Sequence, residues 1–190
     1  MHNTIKTKKI EKLVVELLEA LNDNPNREGL KETPHRVASY YAEMFEGQNY
    51  TNAQLAKKFG KCFKQKADGQ IVSVDDITIF SHCEHHLALM YDMKVSIRYI
   101  PCGKVLGLSK FARIAEMVGK RLQLQEKIGS DIAEVISLAT GSKDIEVRIE
   151  AKHACVTARG AKNSSLVTRT RFASGTFRDY LTSNVTESMS

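Results

Sequence analysis

No run of about 18 apolar residues occurs anywhere in this chain of 190 residues, so the sequence encodes no membrane-spanning helix. The first dozen residues, Met1 to Lys12, are polar and lysine-rich and lack an apolar core, so a secretory leader is not expected. Cysteine is scarce. Cys62, Cys83, Cys102 and Cys155 are an even number, but the chain is neither small nor loop-rich. A disulfide framework is therefore set aside and a reduced, cytoplasmic setting is expected. There is no internal repeat, no low-complexity segment and no long N-terminal extension, so no regulatory segment is expected. H-E-x-x-H, Walker A and G-x-S-x-G motifs are all missing. His82-Cys83-Glu84 offers half of a zinc nucleobase deaminase signature. The other half fails, because Pro101-Cys102 is followed by Gly103, Lys104 and Val105 with no second cysteine.

A hydrophobic content of 42% is that of a globular domain, and a net charge of +6 favours an anionic partner. Ile10, Leu13, Val14, Leu17, Leu18 and Leu21 recur at helical spacing and predict a helix over 5–22. Thr33-Pro34 reads as an N-cap and first helical residue, with Val37, Tyr40, Tyr41, Met44 and Phe45 as the apolar stripe and Gly47 as the stop. A short helix at 51–60 follows. After Gly69 the period becomes two. Val72 and Val74, Ile77 and Ile79, then Val95, Ile97 and Tyr99 alternate with polar residues and predict two strands. Pro101-Cys102-Gly103 is a turn. Ser109 reads as the cap of a helix carrying Phe111, Ile114 and Val118, and a further helix carries Ile128, Ile132 and Ile136 up to Gly141. Ile145, Val147, Ile149 and Ala151 mark a third strand, and a fourth covers 165–177. The expected fold is α+β, with a four-stranded antiparallel sheet, two helices between strands 2 and 3, and helices before them. The expected organisation is an N-terminal helical region over 1–66, a catalytic domain over 67–180 and a frayed polar tail over 181–190.

Cys83, His86 and Cys155 form a ligand set suited to zinc. Three protein ligands leave a fourth tetrahedral position for water, the mark of a catalytic site. If the third strand stays regular, its inward series continues through His153 and Cys155. Cys83 and His86 would face opposite ways on a straight strand, so a turn just after Ile79-Phe80 is expected. His85 and His153 are then free to carry protons near neutral pH. His82 is second to these or simply at the surface. Lys110, Arg113 and Arg159 are candidate phosphate contacts, and Ser109 and Lys110 would sit at a helix start where N–H groups favour anions. Lys57, Lys58, Lys61, Lys64 and Lys66 around Phe59 and Phe63 read as a solvated face rather than a nucleic-acid patch.

Several motifs in register carry a resemblance. Cys83-Glu84-His85-His86, Gly107-Leu108-Ser109-Lys110, Gln123-Leu124-Gln125-Glu126 and the run His153 to Gly160 resemble the zinc-dependent GTP cyclohydrolase I family, as does Glu32-Thr33-Pro34-His35-Arg36-Val37. The resemblance spans about residues 27–177. It implies a tunnelling fold, in which sheets of several subunits close into a barrel, and a decamer of two pentamers in the cytoplasm. It implies hydrolysis of GTP to formate and 7,8-dihydroneopterin triphosphate, the first step towards pterins and tetrahydrofolate, with no nucleic-acid or membrane partner. It implies Zn2+ on Cys83, His86 and Cys155, and His85 and His153 as proton carriers. Glu126 would bind guanine with Gln125 beside it. Ser109, Lys110, Arg113 and Arg159 would hold the triphosphate, with Arg36 reaching in from a neighbour. One segment departs from the family: Leu166 to Phe172 brings Arg169, Arg171 and Phe172 into a strand that is usually rich in Ser and Thr. The rival reading, a non-catalytic zinc-binding or nucleic-acid-binding module, requires a fourth protein ligand, Cys62 or Cys102. A second enzymatic reading is a purine-ring hydrolase that stops at an opened intermediate.

Overall fold

The computed structural model describes residues 4–65 and 69–178. The expected tail over 181–190 and Lys66 lie outside the described residues. By internal contacts the chain divides into two compact units, one up to Tyr50 and one from Thr51 onward.

The first unit holds α1 (Thr7–Ala20) and α2 (Thr33–Met44), followed by a 3-10 turn over Glu46–Asn49. Val14 is the buried residue of α1 and Ala38 that of α2, and His35 Nδ1 meets Glu11 Oε1 at 3.2 Å between the two helices. Two expectations are corrected here. Thr33 is not a cap: the flanking residue is Glu32, whose backbone is already helical (φ −92°, ψ −7°), and no side chain caps the end. A hydroxyl can reach back only from an extended backbone. Gly47 does not stop α2 either. The helix ends at Met44 and Gly47 lies inside the 3-10 turn.

In the second unit, α3 (Asn52–Phe59) starts with a capping box in which Thr51 and Gln54 exchange side-chain and backbone hydrogen bonds. The strands are β1 (Cys62–Lys64), β2 (Val72–Cys83), β3 (Ala88–Tyr99), β4 (Lys104–Leu106), β5 (Leu122–Gln123), β6 (Ile145–His153) and β7 (Thr168–Ser174). Between them lie α4 (Leu108–Gly119), α5 (Gln125–Thr140) and the single turn α6 (Ala154–Thr157). The fold is α+β, as expected. The main sheet has five strands rather than four, in the order β5-β2-β3-β6-β7. Its extra member, β5, pairs parallel to β2 through two residues only, and β1 and β4 form a separate two-stranded pair.

The core forms where one face of this sheet meets α4 and α5. Val95, Ile97, Tyr99, Ile145, Val147 and Ile149 present their alternate side chains to Phe111, Ile114, Val118, Ile128, Ile132 and Ile136, all buried. The alternation slips twice. Asp76 on β2 and Asp92 on β3 adopt positive φ (58° and 48°) at register shifts, where a short polar side chain tolerates the left-handed region. Ser109 does not cap α4. Gly107 takes the extended cap position and no side chain closes the first turn. At the other end Gly119 lets α4 lie against β2, because a Cβ there would come within 2.8 Å of the Phe80 carbonyl oxygen. Gly141 ends α5 as expected, at φ 80°.

The unusual residues of β7 find partners. Arg171 Nε donates to Glu146 Oε1, and Arg148 lies 3.2 Å and Arg98 3.8 Å from the same carboxylate. Arg169 Nε donates to Glu150 at 2.7 Å, and Phe172 packs over Gly129 of α5. Glu146 is 1% exposed although its strand parity points it away from the core, because the three guanidinium groups cover it. Glu146→Ala leaves those cations facing one another. Discounted for their partial exposure, the expected loss is roughly 1–3 kcal/mol of unfolding free energy, read from a denaturant titration.

Candidate metal centre

The cysteine and histidine side chains meet at one end of the sheet. β2 stops at Cys83 and the chain turns through 84–87, where the His86 N–H bonds back to the Cys83 carbonyl at 3.4 Å and the Glu84 N–H to Gln123 O at 3.4 Å. The turn therefore follows Cys83 itself. At Phe80, where a turn was expected, the strand shows only a register shift. The tight turn returns His86 Nδ1 to 3.9 Å from the Cys83 sulfur.

Cys155 arrives by a route that strand parity does not predict. β6 ends at His153, paired with Met90, and the pairing stops there although β3 extends to Ala88, the residue that would face Cys155 in a continued ladder. The chain then winds into α6, which Tyr91 OH fastens to β3 by donating to Thr157 Oγ1 at 3.0 Å. Cys155 thus reaches the site from a helical turn. The ligand atoms of Cys83, His86 and Cys155 all lie within 4.8 Å of one another. Around one tetrahedral ion with bonds of about 2.0–2.3 Å, ligand atoms sit about 3.3–3.8 Å apart, so the trio fits a zinc-sized ion with little movement.

The electrostatics suit a cation. Burial, then the adjacent Cys83 sulfur, push the Cys155 thiol up, while Arg159 pulls it down. Two thiols so close ionise together only beside strong positive charge, which a divalent ion supplies. Cys62 points at the Ala139 carbonyl and Cys102 is exposed in its turn, so neither joins the trio, and no fourth protein ligand appears among the described residues.

Around the trio, His85 Nδ1 lies 3.8 Å from the Cys83 sulfur and its ring stands edge-on to His86. His85 and His86 are exposed, whereas His82 is buried at 2% exposure, which lowers its pKa. His153 is half-buried. Burial lowers its pKa and the Glu126 carboxylate opposes this. Glu126 is exposed in the first turn of α5. Its neighbour Gln125 is 1% exposed. Ser109, Lys110 and Arg113 share the first turns of α4, and Arg159 follows α6. Arg36 is exposed on α2, in the other unit. Of the lysines near Phe59 and Phe63, Lys58 lies 5.4 Å from the Phe59 centroid and Lys61 6.0 Å from the Phe63 centroid.

A family model described as GTP cyclohydrolase I matches residues 10–189. The chain belongs to the GTP cyclohydrolase I family. It is 55% identical over 180 residues to GTP cyclohydrolase 1 of Ruminiclostridium cellulolyticum, covering 92% of each chain. It is 52% identical over 180 residues to GTP cyclohydrolase 1 of Clostridium acetobutylicum, covering 93% of this chain and 92% of that one. Among solved structures it is similar to an archaeosine synthase QueF-like protein at a TM-score of 0.46 and 20% identity, over 55% of this chain and 93% of that one. Among the described residues no helix is long and apolar enough to cross a membrane.

Sequence reasoning missed β5 and the anchoring of Gln125. Two residues are too few to show a period, and nothing in the sequence ties Gln125 to the strands it contacts.

Proposed function

We propose that the protein hydrolyses GTP to formate and 7,8-dihydroneopterin triphosphate at a zinc ion held by Cys83, His86 and Cys155. The observation that carries the reading is the convergence of those three ligand atoms within 4.8 Å in a chain of this family. Zinc in this donor set supplies Lewis acidity and a water activated near neutral pH. The chain's own residues do the rest. Glu126 accepts from the guanine ring N–H and its amino group, a donor pair that a carboxylate matches. His85 and His153 carry protons as the five-membered purine ring opens and formate leaves. Lys110, Arg113 and Arg159, with the Ser109 hydroxyl and the uncapped N–H groups of α4, hold the triphosphate. The test is incubation of the zinc-loaded protein with GTP. Formate and pterin fluorescence should appear in equal amounts. Formate without fluorescence assigns a ring-opening hydrolase instead.

The same reading includes a ring-shaped homo-oligomer with a tunnelling fold, two pentamers to a decamer, in which Arg36 of one subunit completes a neighbour's phosphate site. Its support is the sheet edge. Among the described residues β7 has a partner on one side only, and β2 meets β5 only at His82 and Cys83. Open edges of this kind invite strands of other copies. Light scattering at concentrations where the enzyme turns over should give a mass well above 21.3 kDa. A monomer under those conditions overturns the shared site.

A further inference from the structure

We infer that Gln125 is a positioning residue for His153, its amide fixing the rotation and neutral tautomer of the ring so that Nδ1 is the nitrogen left for substrate. This rests on the role given to His153 above. Gln125 opens α5 and its side chain is buried. One end of its amide lies 3.2 Å from the Ile149 carbonyl oxygen on β6 and 3.1 Å from that of Thr168 on β7, with Thr170 Oγ1 at 3.4 Å. Carbonyl oxygens only accept, so the atom between them is the amide nitrogen, and its two hydrogens match the two carbonyls. The reverse orientation would set oxygen against two oxygens. The other end, Oε1, therefore faces His153 Nε2 at 2.8 Å as an acceptor, and Nε2 carries the hydrogen. The neutral ring then keeps its lone pair on Nδ1.

The anchor consists of main-chain groups of two paired strands, so it holds the ring rigidly. Both amide hydrogens and the oxygen are already engaged and the residue is 1% exposed, which leaves Gln125 little to offer a ligand directly. The exposed neighbour Glu126 is free to meet one.

Gln125→Met keeps the approximate shape and removes both donor and acceptor. In the zinc-loaded full chain it should lower kcat about 10- to 100-fold, the range typical of groups that orient a functional histidine, with zinc content and the KM for GTP within about twofold. In a His153→Ala background the same substitution should cause no further loss, since its effect passes through that ring. Magic-angle-spinning 15N spectra of histidine-labelled protein at mildly alkaline pH, assigned by the signals lost in His153→Ala, should show a single Nε2–H tautomer in the unsubstituted protein and a mixture in Gln125→Met. A raised KM with kcat retained, or an undiminished loss in the His153→Ala background, would mean that Gln125 touches substrate itself and would overturn the inference. So would an Nδ1–H tautomer in the unsubstituted protein, a result that stands whether or not Gln125→Met folds. If the protein releases no formate from GTP, the proposed activity fails, while the tautomer still decides the positioning of the ring.

Discussion

Cys155→Ser should empty the protein of zinc and abolish formate release together. A serine hydroxyl stays protonated at neutral pH and cannot replace a thiolate, so the site falls to one sulfur and one imidazole. Disturbing groups behind metal ligands already costs about 10- to 100-fold in affinity, and removing a ligand should cost more. The fold should survive, because α6 is held to β3 by the Tyr91–Thr157 hydrogen bond rather than by Cys155. Circular dichroism checks this while elemental analysis reads the metal. His85→Ala is the necessary companion. His85 Nδ1 and His86 Nδ1 lie almost equally far from the Cys83 sulfur, at 3.8 and 3.9 Å, yet only His86 belongs to the trio that closes on Cys155. His85→Ala should therefore retain zinc and lose about 10²- to 10⁴-fold in turnover, the usual worth of a proton carrier. Loss of zinc in this variant would make His85 a ligand and reverse the assignment.

Glu126→Gln should weaken GTP binding by roughly 1–3 kcal/mol, or about 5- to 150-fold, with zinc content unchanged. The carboxylate has no hydrogen-bonded partner within the chain among the described residues, so both of its oxygens are available to the guanine N–H groups. An amide in its place presents a donor to a donor. Calorimetric titration with a non-hydrolysable GTP analogue measures the loss. Unchanged affinity would remove Glu126 from the guanine site and leave its charge acting on His153 as its main effect.

Much of the site was legible because its motifs are short and local. Cys83 and His86 fall within one four-residue stretch, although the turn that brings them together was expected three residues earlier, and the alternation of Ile145, Val147, Ile149 and Ala151 gave β6 its face. Long-range facts were not legible. Regular parity carried Cys155 along the strand, whereas the chain leaves the ladder after His153 and winds into α6, although β3 still offers Ala88 opposite that position. Thr33 and Ser109 had the right chemistry for caps, but a cap depends on the backbone angle of the residue before the helix, which composition does not report. Glu146 lies at an outward position and is nonetheless buried, because Arg148 of its own strand and Arg98 and Arg171 of the two neighbouring strands fold over it. The arginines of β7 looked out of place until their carboxylate partners on β6 came into view.

Asp92 has a consequence for how this chain can change. Met93 and Met90 are both fully buried although they are three residues apart, an odd spacing that a regular strand cannot give to one face. The surplus residue at φ 48° absorbs the difference, and β3 shifts register there against both β2 and β6. Shortening the strand by that one residue keeps both methionines in phase. Keeping the length while straightening the backbone, as a β-branched residue at position 92 would press it to do, turns Met90 to the opposite face and Tyr91 towards the core, away from Thr157. At this point of the chain a deletion should be milder than a β-branched substitution, and Asp92, beyond its ion pair with Lys152, sets the phase of the strand that leads to the candidate metal centre.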